Sequence, residues 1–132
     1  MLLDTHVLVW WASSPERIPA RTRRRLEQAA KVDRPLRVSA ISAWEIAMLV
    51  ERGRLELTMD LVSWMAAVEA LPSIEFVPVN SQIALSAVRL RNFPHADPAD
   101  RMIVATALGL GAVLVTADAR LRSYRHARTL WG

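Results

Sequence analysis

Apolar positions along the chain fall into two rhythms: short uninterrupted runs and longer stretches with helical spacing. Met1-Leu2-Leu3 opens residues 1–4 as a short buried strand, and residues 6–12 read as a helical turn or two, stopped by Ser13-Ser14-Pro15. Pro19 suits the first turn of a helix running to about Lys31. Ile18, Thr22, Leu26 and Ala29 or Ala30 make its inner face, which leaves Arg21, Arg24 and Arg25 outward. Arg37 to Ala40 follows Pro35 as a second strand, and Ser42 starts a helix to about Arg52, stopped by Gly53. Asp60 caps a helix carrying Leu61, Trp64, Met65 and Val68 that ends at Pro72. Ile74 to Val79 is apolar and β-branched, a third strand. Asn80 caps a helix with Ile83, Ala87, Val88 and Leu90. Asp97-Pro98 opens a strongly apolar helix to about Leu110, ended by Gly111. Ala112 to Thr116 is a fourth strand, Asp118 begins a short helix, and Ala127 to Trp131 adds an edge strand.

Strands that alternate with helices, and that are apolar without interruption, belong in a mostly parallel sheet covered on both faces. No repeat, low-complexity tract or long linker divides residues 1–132, so a single α/β domain is expected. Sites in such sheets form beyond the carboxyl ends of the strands. Asp4 and Asp118 stand at two such ends, and Glu45 lies one helical turn after a third.

Composition narrows the classes. At 132 residues and 52% hydrophobic, the chain can build a core without cross-links. The absence of cysteine excludes a disulfide framework, a thiolate nucleophile and a zinc–thiolate site. The opening apolar stretch lacks a positive leader and is interrupted by Asp4 and His6, so it is neither a signal peptide nor a spanning helix. Met102 to Val115 contains Thr106 and two glycines and is too short to cross a bilayer. A soluble, cytoplasmic protein with no membrane partner is expected. The net charge is +4, and Lys31 is the one lysine among 17 basic residues. Arginine's planar fork suits phosphate, although a genome rich in arginine codons gives the same bias.

The acids carry the chemistry. Asp4 sits between Met1-Leu2-Leu3 and Val7-Leu8-Val9-Trp10-Trp11, two segments that both favour burial. Dehydrating a carboxylate there is costly unless a cation or hydrogen bonds compensate. Hard oxygen donors at the mouth of a sheet are what Mg²⁺ or Mn²⁺ requires. Each acid also has a plainer reading. Ser42-Ala43-Trp44-Glu45 is a capping box, Asp97 and Asp118 are good N-caps, and Asp100 complements a helix dipole. A helix starting at Thr5 would make Asp4 a cap too. The coincidence of several acids at strand exits, with no histidine or cysteine cluster, favours a metal site. His95, just ahead of the helix bearing Asp100, is placed to touch substrate; His6 follows the first acid and can orient it. Four of the five tryptophans, Trp10, Trp11, Trp44 and Trp64, fall on predicted helices, where core packing is the default and an exposed subset marks a partner surface.

Four segments together resemble a PIN-domain ribonuclease, and specifically the VapC-type toxin of a bacterial toxin–antitoxin pair. They are Leu2-Leu3-Asp4-Thr5-His6, Ser42-Ala43-Trp44-Glu45-Ile46-Ala47, His95-Ala96-Asp97-Pro98-Ala99-Asp100-Arg101-Met102-Ile103-Val104-Ala105, and Val115-Thr116-Ala117-Asp118. The resemblance implies a three-layer α/β/α sandwich with a central, mostly parallel sheet, a single PIN-like nuclease domain over residues 1–132. It carries the family's acidic metal ligands onto Asp4, Glu45, Asp100 and Asp118, with Thr116, Thr5, Asp97 and Arg101 in support. Ala99 and Leu121 replace aromatic residues often seen in the family, a departure that bears on packing or substrate contacts. The resemblance further implies a homodimer and a cognate antitoxin that lays a helix and an extended tail over the toxin.

The expected activity is Mg²⁺- or Mn²⁺-dependent endoribonuclease action through a metal-activated water. Arg21, Arg23, Arg24 and Arg25 read either as contacts to the RNA backbone or as a solvated helix face. A receiver domain would want a lysine near the last strands, and a haloacid-dehalogenase-type phosphatase an aspartate at position 6, where this chain has His6. A non-catalytic RNA- or protein-binding module and a housekeeping RNA-processing nuclease remain as alternatives.

Overall fold

The computed structural model describes residues 1–31, 34–93 and 96–132. Five parallel strands form one sheet: β1 (Leu2–Leu3), β2 (Leu36–Ser39), β3 (Ile74–Val77), β4 (Leu114–Val115) and β5 (Thr129–Leu130). Helices α1 (Thr5–Ser13), α2 (Ala20–Lys31), α3 (Ala40–Glu51), α4 (Leu61–Glu69), α5 (Ser81–Val88), α6 (Pro98–Leu110) and α7 (Ala119–Arg122) connect them. A short 3₁₀ turn at Pro15–Arg17 separates α1 from α2.

The strand order is β3-β2-β1-β4-β5. The chain therefore starts in the middle, winds outward through β2 and β3, then returns across β1 to lay down β4 and β5. β1 lies against both β2 and β4, with Leu2 opposite Arg37 and Leu114, and Leu3 opposite Val38 and Val115. The reversal leaves a crevice at the carboxyl ends of β1 and β4, the switch point where open α/β sheets collect ligands.

Successive strand residues point to opposite faces, and two cores follow from that alternation. Leu3 and Val115 pack with Val7, Leu8, Leu26, Val38, Ile46, Trp64 and Val68 on one face. Leu2 and Leu114 pack with Ile103, Val104, Ala107, Leu121 and Tyr124 on the other. The fold is the expected three-layer sandwich around a parallel sheet. Ala99 and Leu121, the two departures from the aromatic pattern, are buried. Among the described residues no helix is long and apolar enough to cross a membrane.

Local punctuation behaves as read at most helix ends. Asp60 and Asn80 accept from the backbone N–H groups three residues on, at 3.0 and 2.9 Å. Gly111 closes α6 in the left-handed region at φ 61°, where a side chain would be strained. Three expectations need correction. β3 stops at Val77, before Pro78, because proline has no N–H for the ladder. Val88 faces solvent rather than the core. The third helix begins at Ala40 rather than Ser42: its cap is Ser39, whose Oγ accepts from the Ile41 N–H at 3.2 Å. Glu45 therefore closes no capping box.

Candidate metal centre

Asp4 leaves β1 at the sheet's reversal and caps α1, its Oδ1 accepting from the Thr5 N–H at 2.8 Å. Its Oδ2 accepts from the Thr116 hydroxyl at 2.7 Å, across 112 residues of sequence. Only 8% of Asp4 remains exposed, so these two bonds stand in for much of its lost water. Thr116 follows β4 directly and also accepts from the Asp118 N–H at 3.1 Å. One buried hydroxyl thus ties the acid after β1 to the acid after β4.

Thr5 does the same for the third acid. Its hydroxyl donates to Glu45 Oε1 and lies 2.8 Å from Ser42 Oγ. A threonine has one hydroxyl proton, so with that proton on Glu45 the Ser42 hydroxyl donates to Thr5. Ser42, expected as a helix cap, is instead the buried support of the Thr5–Glu45 link.

Asp97 caps α6 by accepting from the Ala99 and Asp100 N–H groups at 2.9 and 3.2 Å. That turn brings Asp97 and Asp100 up to Glu45: one carboxylate oxygen from each lies within 4.8 Å of the other two. The five acids share a cleft of about 360 Å³ that, among the described residues, is also lined by His6, Trp10, Ala117 and Arg120.

Crowding shows in the ionisation behaviour. Burial, with Asp4, Asp97, Glu45 and Asp118 adding repulsion, pushes the Asp100 carboxyl up to about 7. Burial raises Asp4, against the bonds from Thr116 and Thr5. Burial raises Glu45 as well, against its bond from Thr5. At Asp118 burial also pushes upward, but hydrogen bonds from the Arg120 backbone and guanidinium, with the latter's charge, outweigh it and hold the carboxyl low. Arg120 Nη2 is 3.4 Å from Asp118 Oδ2. The donor set fits a hard divalent cation: several carboxylate oxygens lie close together, and burial makes Asp4, Glu45 and Asp100 costly to ionise without a counter-charge.

The other expected site residues divide. Thr116 and Thr5 are built into the cluster. Arg101 is turned away, its Nη1 donating to the Ala87 carbonyl at 3.1 Å and its guanidinium lying 5.2 Å from the Phe93 ring centre. Arg21, Arg24 and Arg25 are exposed on α2 and do not line the cleft; Arg23 donates to the Pro15 carbonyl at 3.2 Å. His95 lies outside the described residues. Asp97, expected only in a supporting part, lines the cleft directly, and so do Arg120 and Trp10, which the sequence does not mark as cleft residues. Arg120's place two residues after Asp118, inside the helix that Asp118 caps, is the signal that was available. A second concavity, about 390 Å³ between α3 and α4, is lined by Ala43, Ala47, Leu61, Val62, Met65, Ala66 and Glu69 and is largely apolar.

The PIN domain family matches residues 1–127. The chain belongs to that family. It is 39% identical to Ribonuclease VapC22 of Mycobacterium tuberculosis (strain ATCC 25618 / H37Rv) over 133 residues, 99% of this chain and 98% of the relative. Two solved structures share the PIN fold at lower identity. One is VapBC2 from Rickettsia felis bound to a DNA fragment from the promoter, with a TM-score of 0.73, 18% identity, and 99% and 98% of the two chains covered. The other is FitAcB from Neisseria gonorrhoeae, with a TM-score of 0.64, 20% identity, and 98% and 95% covered.

Proposed function

We propose that this PIN domain is a divalent-metal-dependent endoribonuclease and the toxin of a VapBC-type pair. The observation that carries the reading is the gathering of five carboxylates at the sheet's switch point, with Glu45, Asp97 and Asp100 oxygens within 4.8 Å of one another. Kinship with a protein named as a ribonuclease, over nearly the whole of both chains, supports the substrate class.

Asp4, Glu45, Asp100 and Asp118 would hold the cation, Mg²⁺ or Mn²⁺, and Asp97 joins them by position. When bound, the ion supplies neutralising charge at the scissile phosphate and activates water at neutral pH. The chain's own groups prepare for this. Thr116 orients Asp4, and Thr5 orients Glu45, so neither carboxylate has to be immobilised when substrate arrives. Asp118 is kept ionised by Arg120, a cationic group at the cleft that suits a phosphate oxygen. Asp100 takes up a proton near neutral pH when no cation is present.

A cognate antitoxin is the second partner. The apolar groove between α3 and α4, whose lining includes Val62 at 78% exposed, suits the apolar face of an amphipathic helix. Leu85 and Val88 on α5, with Leu108 and Leu110 on α6, leave exposed apolar surface suited to a second copy in a homodimer.

The product ends test the chemistry. Water as nucleophile leaves a 5′-phosphate and a 3′-hydroxyl. Fragments ending in 2′,3′-cyclic phosphate would mean attack by the RNA's own 2′-hydroxyl and would overturn the mechanism.

A further inference from the structure

A cleft with five carboxylates repels the polyanion it is meant to cut, so affinity must come partly from the rest of its lining. Among the described residues that remainder is His6, Trp10, Ala117 and Arg120, and Trp10 carries the largest aromatic ring of the four. Helix α1 fixes the placement. Asp4 caps it, Val7, Leu8 and Val9 are buried, and His6 and Trp10, four residues apart, share the side toward the acids.

Trp10 is held as a platform. Its ring centre is 5.8 Å from that of Trp131, tilted 41°, and 5.9 Å from that of His6, tilted 50°. The Arg17 guanidinium lies over the ring at 5.1 Å and is not among the residues that line the cleft. Trp64 shows the contrast expected of a purely structural tryptophan: 3% exposed, with Nε1 donating to Ser13 Oγ at 3.2 Å. Trp10 is half-buried: it packs against the core and also lines the acidic cleft.

We infer that Trp10 is a stacking subsite for a nucleobase of single-stranded RNA flanking the scissile phosphate, braced by Trp131 and Arg17. The inference rests on reading the acidic cleft as the RNA-cleaving site. Stacking of one base on an aromatic side chain changes affinity by roughly ten-fold to a hundred-fold and tolerates any base, since each has a π face. Trp10 therefore contributes grip and positioning, and leaves base identity to other contacts.

The test is a thermodynamic cycle across the complex. The cut site is first mapped in total RNA with the unaltered protein in Mn²⁺. A dodecamer spanning it is then made with single abasic positions on either side of the cut. Binding is measured by fluorescence anisotropy in the non-cleaving Asp4→Asn protein with Mg²⁺. One flanking abasic position should weaken binding about ten-fold or more. Trp10→Leu, added to Asp4→Asn, should abolish that penalty, and Trp10→Phe should keep most of it. Leucine preserves apolar bulk, and a thermal melt checks the fold.

A flat abasic scan overturns the subsite without any change at Trp10, and so does a penalty that persists in Trp10→Leu. Unchanged RNA affinity with lost capture of an antitoxin peptide would give Trp10 to the protein partner and also overturn it. Total RNA left intact by the unaltered protein overturns the nuclease reading, and the subsite with it; cleavage with a flat scan overturns the subsite alone.

Discussion

Asp100→Asn should make the metal-free protein more stable at neutral pH while weakening its response to metal. The Asp100 carboxyl ionises at about 7 in the fold, against 3.8 for the free side chain. Below 3.8 the group is protonated in both states and contributes nothing. As pH rises toward 7 the unfolded chain releases its proton and the folded one holds it, so stability falls; above 7 the whole penalty is present. A displacement of that size corresponds to roughly 4 kcal/mol. Asp100 is partly exposed, and solvent screening reduces this to about 2 kcal/mol. For a domain of this size that is a rise of roughly 6–10 °C in Tm for the asparagine variant in EDTA at pH 8. The assay is thermal or urea unfolding of both proteins between pH 4 and 8, with EDTA or with millimolar Mn²⁺. The two curves should meet near pH 4 and separate toward pH 8, and Mn²⁺ should stabilise the unaltered protein much more than the variant. An Asp100→Asn protein no more stable than its parent in EDTA at pH 8 would refute the reasoning.

Thr116→Val removes the hydroxyl that joins Asp4 to Asp118; activity should fall about 10–100-fold with a preserved fold, measured by cleavage rate and circular dichroism. Asp97 separates two roles by substitution. Asparagine keeps the α6 cap but drops a charge, so Asp97→Asn should weaken Mn²⁺ binding by calorimetry with little change in Tm; Asp97→Ala should in addition lose about 1 kcal/mol. Replacing Arg21, Arg24 and Arg25 with serine should flatten the salt dependence of RNA binding if α2 contacts the backbone; an unchanged slope would leave them a solvated face.

The fold was legible because its signals are local. Asp60, Asn80 and Asp97 bond to N–H groups within three residues, and Gly111 ends α6 by its own dihedral freedom, so the sequence window contains the whole interaction. The acids were legible for a related reason: each sits at a strand exit or the first turns of a helix, where chain order alone puts it at the sheet's edge. What failed depended on distant partners. Ser42 and Glu45 have capping-box spacing, but Ser42 bonds to Thr5, 37 residues away, while the helix begins earlier at a different serine. Arg101 stands in the acidic motif, yet its reach takes it to the Ala87 carbonyl on a neighbouring helix. Trp10 and Arg120 entered the cleft through the packing of α1 and α7, which no single segment encodes.

Cleavage of total RNA by the purified protein, in Mn²⁺ and in EDTA, beside an Asp4→Asn control, tests the metal-dependent nuclease most directly. The expected result is cleavage in Mn²⁺ alone, abolished by EDTA and absent from the variant. Cleavage that survives EDTA or the loss of Asp4, or a protein that binds no divalent cation, would contradict it.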